Sequence, residues 1–301
     1  MTTANHALDA SGLGRRYGHT WALRDCSFQL PTGRVAALVG PNGAGKTTLL
    51  HLAVGLLAPT AGSVEVFGRR PQQARSHIGF VAQDHPLYRG FTVNETLTLG
   101  RKLNRSWDGA QASARLRQLG IPLERSVGKL SGGQQAQLAL TLALAKQPDL
   151  LLLDEPVASL DPLARRDFLR ALAEIGEAGR VTVLLSSHII ADLERVCDYL
   201  IILSAARVQL VGDIAAIVRT HKRLSAPERY PGAIGGVATI VEEYVTPRQA
   251  QLLVRADGQL TDPMWEVSDV SLEEIVLAYL GQSGGSASGR DEDASMLEVS
   301  R

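Results

Sequence analysis

Short, nearly unbroken apolar runs punctuate the chain at Val35–Val39, 150–153, 181–185 and 200–203. Runs of that length, without the alternation of a half-buried strand, predict strands of a parallel sheet covered on both faces. Weaker strand patterns lie at 26–30, 64–67 and 78–82, with a Pro-Thr-Gly turn at 31–33 after the first. From Val93 to about Ser126 the pattern turns helical and more charged, with Leu97, Leu99, Leu103, Leu116 and Leu119 as its apolar positions. This predicts a mostly helical insertion. From Leu130 onward, helices and apolar strands alternate.

The character changes near residue 221, where Pro227, Pro231 and several glycines predict a linker. Strands are expected at 238–245 and 251–256. Ser271-Leu272-Glu273-Glu274 has the capping-box pattern that opens a helix running to Leu280. Residues 281–301 are Gly/Ser-rich and then acidic, a composition expected to be disordered. No internal repeat is visible.

Composition narrows the function classes. The 301 residues hold 45% apolar side chains, and 31 basic residues balance 31 acidic ones. A zero net charge argues against a nucleic-acid binder held by a strong positive field. Two cysteines, Cys26 and Cys197, exclude a disulfide scaffold and are expected to be buried thiols. The first residues lack the charged-then-apolar order of a secretory leader, and no run approaches a membrane span of roughly 20 residues. A soluble chain is expected. Trp21, Trp107 and Trp265 are read as packing residues.

The first chemical motif is 40–47, GPNGAGKT, which fits G-x-x-x-x-G-K-[ST] directly after a buried strand. Gly40, Gly43 and Gly45 let the backbone curl so that N–H groups converge on phosphate oxygens. The helix start that follows adds its positive dipole end. Pro41, Asn42, Ala44 and Thr48 complete the expected phosphate-binding stretch. Lys46 is expected at the β- and γ-phosphates, and the Thr47 hydroxyl on Mg²⁺. A second signal is Asp154-Glu155 at the tip of the apolar strand 150–153, on the ligand side of a parallel sheet. Asp154 is placed to hold Mg²⁺, directly or through water. Glu155 is placed to take a proton from the attacking water. The third is Leu130-Ser131-Gly132-Gly133-Gln134, an S-x-x-Q cap whose bare glycines open a second anion-seeking helix start. One nucleotide does not need two such helix ends.

Together these segments resemble the ATP-binding subunit of an ATP-binding cassette (ABC) transporter, over about residues 10–215. The resemblance implies a P-loop NTPase-type α/β fold, with a parallel core, an antiparallel β subdomain and an α-helical subdomain, plus a small C-terminal α/β appendix. It implies a nucleotide-binding domain at 1–220 with its helical subdomain at about 85–130, a small domain at 221–283 and a tail at 284–301. ATP and Mg²⁺ are the implied cofactors. Tyr17 stands where the family stacks an aromatic on adenine. Gln83 matches the glutamine that meets Mg²⁺ and the membrane partner, and His188 the histidine that senses the γ-phosphate. Asp161, in Ser159-Leu160-Asp161, matches a loop crossing the dimer interface, and Asp161-Pro162 also reads as a helix cap. Ser131, Gly132, Gly133 and Gln134 would cover ATP held by Lys46 and Thr47 of a second subunit. The chain departs from the family at Gln137 and Leu142, where basic residues are usual.

The implied partners are a second cassette, identical or not, and a separate membrane-spanning permease, with no nucleic acid. The implied location is the cytoplasmic face of the membrane, and export is preferred over import. Two other readings stay open at this point. An ordinary P-loop kinase or GTPase explains 40–47 and Asp154 but leaves Ser131–Gly132–Gly133, Gln83 and His188 unused. A soluble cassette ATPase acting on ribosomes or DNA would ordinarily bring a second cassette or a long coiled coil.

Overall fold

The computed structural model describes residues 6–227, 234–246, 249–260 and 262–281. Pro231 and the tail at 284–301 lie outside them. The chain divides into two compact units at Asp213 and Ile214, a helix earlier than the expected boundary after 220.

The first unit begins with β1 (His6–Tyr17), β2 (Thr20–Pro31) and β3 (Val35–Val39), followed by α1 (Lys46–Ala53), β4 (Ala61–Val66) and the short α2 (Pro71–Ala74). Next come β5 (Ile78–Val81), then α3 (Val93–Leu103), α4 (Gly109–Gln118) and α5 (Gly132–Ala145). The unit closes with β6 (Leu150–Asp154), α6 (Pro162–Glu177), β7 (Thr182–Ser187), α7 (Ile190–Leu193), β8 (Tyr199–Ser204) and β9 (Arg207–Asp213). A six-stranded sheet has the order β5-β6-β7-β3-β8-β9, parallel except for β9. β3, β6 and β7 are buried at every residue, which is why their sequences carry no polar alternation. All three end on the same edge, so Val39, Asp154 and Ser187 deliver their following loops to one place.

A three-stranded antiparallel sheet, β2-β1-β4, forms the β subdomain. Its first strand, HALDASGLGRRY, is too polar and too irregular in register to be read as a strand from the sequence alone. The helical insertion packs around its own core of Val93, Leu97, Leu116, Val127 and Leu138. Thr92 and Glu95 cap α3 reciprocally, Thr92 N–H donating to Glu95 Oε2 at 2.7 Å and Glu95 N–H to Thr92 Oγ1 at 3.1 Å. Cys26 and Cys197 are buried, and burial pushes the Cys197 thiol up to about 12, so neither is a poised nucleophile.

The second unit holds α8 (Ile214–Thr220), β10 (His221–Ala226), β11 (Val237–Thr246), β12 (Gln249–Ala256), β13 (Glu266–Asp269) and α9 (Leu272–Gly281). Its antiparallel sheet runs β11-β12-β10-β13. His221–Ala226, ahead of the prolines expected to mark a linker, form an inner strand of this sheet, and most of that linker stretch lies outside the described residues. The cations of this strand are paired, Lys222 with Asp269 and Arg223 with Glu274 at 3.0 Å. The helix at 272 starts as expected, with Glu274 N–H donating to Ser271 Oγ at 3.2 Å and Ser271 N–H to Glu274 Oε2 at 2.8 Å.

Within this unit His221 is 1% exposed. Its Nδ1 lies 2.7 Å from Ile217 O and its Nε2 3.1 Å from Tyr279 Oη. A carbonyl only accepts, so Nδ1 carries the proton and Nε2 accepts from the tyrosine. Burial, aided by Arg255, holds the imidazole below its usual range despite the Ile217 carbonyl. The unfolded chain therefore takes this proton near pH 6.5 and the folded chain only below it. Stability from this site is full above about pH 6.5 and is lost as pH falls toward the folded value. The melting temperature of the full chain should drop more steeply below pH 6.5 than that of His221→Gln. Parallel pH profiles would show the site to be silent.

Candidate nucleotide site

β3 ends at Val39 and the chain turns immediately into the glycine loop. A Cβ on Gly40 would sit 2.2 Å from Leu203 O, and one on Gly45 2.3 Å from Ala22 O. Gly45 also has φ +105° and caps α1 without any side chain. The loop thus presses backbone against backbone, and the first N–H groups of α1 are left for a ligand. Lys46 is 6% exposed. Its Nζ donates to Gly40 O at 2.8 Å and Pro41 O at 3.3 Å, and stands 3.3 Å from Glu155 Oε1.

Glu155 follows the last residue of β6 with φ +47°, an uncommon backbone for a side-chain-bearing residue. Two bonds fix it there. The Glu155 N–H donates to Ser186 Oγ at 2.8 Å, and the same hydroxyl donates to Asp154 Oδ1 at 2.8 Å. Glu155 Oε2 lies 2.7 Å from His188 Nδ1. The carboxylate is held between a lysine and a histidine, while the His188 side chain remains half exposed. Asn42, Gly43, Thr47, Thr48 and Gln83 line the same cleft of about 420 Å³ as Lys46, Glu155 and His188. Asp154, 1% exposed, sits behind it on Ser186.

Other expected residues lie elsewhere. Tyr17 is 48% exposed at the end of β1 and does not line the cleft, and the Arg15 guanidinium lies 4.8 Å over its ring. Ser131, Gly132, Gly133 and Gln134 do not line it either. They form the capped start of α5, with Gln134 N–H donating to Ser131 Oγ at 3.2 Å and Ser131 N–H to Gln134 Oε1 at 3.1 Å. A Cβ on Gly133 would meet that of Ala164 at 2.6 Å, so this helix start packs on the beginning of α6. Asp161 caps α6, accepting from Leu163 N–H and Ala164 N–H at 3.0 Å each.

Ser186 is the residue that motif reading overlooked. Its only signal is a polar pair, Ser186-Ser187, ending an otherwise apolar strand just before His188. Ser186→Ala removes both bonds and leaves Asp154 buried and less satisfied. At about 1 kcal/mol per bond, thermal unfolding should report a loss of roughly 2 kcal/mol, and nucleotide turnover should fall with the loosened Glu155. An unchanged melting temperature would contradict this account of how Glu155 is held.

A cradle of backbone donors, a buried lysine, a carboxylate in reach of both lysine and histidine, and an exposed threonine suit phosphoryl-transfer chemistry. The family described as ABC transporter matches residues 23–158. The chain is similar to the uncharacterized ABC transporter ATP-binding protein YxlF of Bacillus subtilis, at 32% identity over 81% of this chain and 85% of that one. It is also similar to the Nod factor export ATP-binding protein I of Rhizobium johnstonii, at 33% identity over 84% of this chain and 80% of that one. A solved ATP-binding subunit of an ABC transporter superposes with a TM-score of 0.64 at 30% identity, covering 71% of this chain and 92% of that one.

Proposed function

This chain belongs to the ABC transporter family, among its ATP-binding proteins, and on that premise we propose that Lys46, Glu155 and His188 are its hydrolytic centre. The chain is the ATPase that drives transport, and two copies share each nucleotide. The observation that carries the reading is the Glu155 carboxylate, gripped by Lys46 and His188 at the mouth of the glycine loop.

Incoming phosphate competes with Glu155 for the Lys46 ammonium, because both are anions within reach of one buried cation. Glu155, freed on that side, orients the attacking water and accepts its proton. His188 keeps the other carboxylate oxygen and reaches from its exposed side toward the γ-phosphate. Among the described residues no three His, Cys, Asp or Glu side chains gather into a metal cage. Mg²⁺ does not require one, since it is commonly held by one or two protein groups plus phosphates and waters. Thr47 and Gln83 line the cleft and Asp154 lies behind it, a set that fits this ion. When bound, Mg²⁺ neutralises charge on the β- and γ-phosphate oxygens.

Ser131, Gly132, Gly133 and Gln134 open a helix whose own cleft contacts are absent, so they serve the nucleotide of a second copy. Identical copies suffice, because this chain carries both halves. Tyr17 stacks on adenine once its ring exchanges the Arg15 guanidinium for the base. Asp161 belongs to the same interface through α6. ATP-bound closure and post-hydrolysis opening form a two-state switch read by the γ-phosphate.

No helix among the described residues is long and apolar enough to cross a membrane. On the likeness to ABC transporter ATP-binding proteins, the cargo passes through a separate permease and the chain works on its cytoplasmic face. An apolar groove of about 530 Å³, lined by Phe80, Leu87 and Leu142 among others, adjoins the Gln83 loop on both sides. It receives the permease and links it to the nucleotide. Export is the direction favoured by the likeness to the Nod factor export protein. Phosphate release from Mg-ATP by the purified chain, abolished by a chelator, tests the hydrolytic reading. Absence of release with and without the membrane subunit would overturn it.

A further inference from the structure

A cleft of about 640 Å³ opens in the first unit between α4, α5 and α6, and neither Lys46, Glu155 nor His188 lines it. Leu144, Ile175 and Val181 give it apolar walls, and two cationic residues, Arg115 and Arg180, also line it. Arg115 Nη2 donates only to a neutral amide, Gln137 Oε1, at 3.2 Å, and its buried Nε has no partner among the described residues. Gln137 is 7% exposed, and its Nε2 is unpartnered as well. Arg180 makes no side-chain hydrogen bond or ion pair among the described residues.

The acids of the cleft are engaged elsewhere. Glu174 pairs with Arg170 at 3.5 Å, and Asp149 with His77 at 2.6 Å. Glu174 acts on Arg115 only through space, and burial pushes the Arg115 guanidinium below its usual range. A guanidinium drawn out of water calls for an anionic acceptor in fork geometry. None is supplied among the described residues, while the volume falls within the roughly 300–1,000 Å³ of small-molecule sites.

We propose that this cleft binds an organic anion with an apolar body, separate from the nucleotide. Its carboxylate, sulfonate or phosphate accepts from Arg115 and Arg180, and its hydrocarbon part lies against Leu144, Ile175 and Val181. The site touches α5 and α6, the two helices that open at Ser131 and Asp161.

The test uses the full chain with its nucleotide site saturated by ADP and titrates 8-anilinonaphthalene-1-sulfonate, followed by fluorescence. One saturable site is expected. Arg115→Gln and Arg180→Gln should each weaken it at least about tenfold, and Ala114→Trp, which fills the cleft wall, should abolish it. N-phenyl-1-naphthylamine, the same body without the sulfonate, should bind at least about tenfold less tightly. Arg180 and Ala114 are exposed, so their variants keep the test decisive if Arg115→Gln fails to fold. Equal affinity of the sulfonate for the wild type, Arg180→Gln and Ala114→Trp would overturn the proposal, as would equal affinity for the uncharged body.

Discussion

Glu155→Gln should bind ATP and barely turn it over, with the rate falling on the order of 10²–10⁴-fold, the range typical of a lost general base. The amide is nearly isosteric and can still donate to, or accept from, the His188 ring. The Ser186 bond to the residue 155 N–H is untouched. What disappears is the anionic oxygen that takes the proton of water. The loss of charge also frees Lys46 from its 3.3 Å partner, so nucleotide affinity should hold or rise. A nucleotide-bound dimer should then accumulate on size exclusion with ATP. Single-turnover phosphate release at the wild-type rate would remove Glu155 from the role of base.

Lys46→Ala should act on binding instead. The ammonium is nine-tenths buried and prepositioned by Gly40 O and Pro41 O, so little ordering entropy remains to be lost when phosphate arrives. Losing a charge-assisted hydrogen bond of about 1.5–3 kcal/mol weakens ATP affinity roughly 10- to 100-fold. Equilibrium titration with a fluorescent ATP analogue reads this directly. Affinity within twofold of the wild type would show that the lysine does not reach the phosphates. The two variants separate chemistry from binding, since one spares the affinity that the other lowers.

The sequence disclosed those parts of the fold in which one physical demand dominated. Val35–Val39 and residues 150–153 lie in strands buried on both sides, where apolar residues need no hydrogen-bond partner for their side chains. β1 and β10 were obscure because their polar residues are satisfied by partners distant in sequence, such as Asp269 for Lys222. No local pattern records such pairings. Likewise the glycine loop is legible because Gly40 and Gly45 touch backbone where no side chain fits, whereas Ser186 looks like any strand-end serine until its two partners are seen. Lys46, Glu155 and His188 gather in one cleft although they are far apart in the sequence. The separation of Ser131 from that cleft is what a half-site for another copy requires.

Mixing two inactive variants probes this sharing of the nucleotide. Lys46→Ala weakens the cradle and Ser131→Arg blocks the cover, so at ATP concentrations well below the weakened affinity of Lys46→Ala each alone should be nearly inert. In a mixed pair the intact Lys46 of one copy faces the intact Ser131 of the other, and one complete site re-forms. ATP hydrolysis should return on mixing, to a substantial fraction of the wild-type rate per mixed pair. Hydrolysis that stays at the level of the separate variants, in samples shown to contain the mixed pair, would contradict a nucleotide shared between two copies.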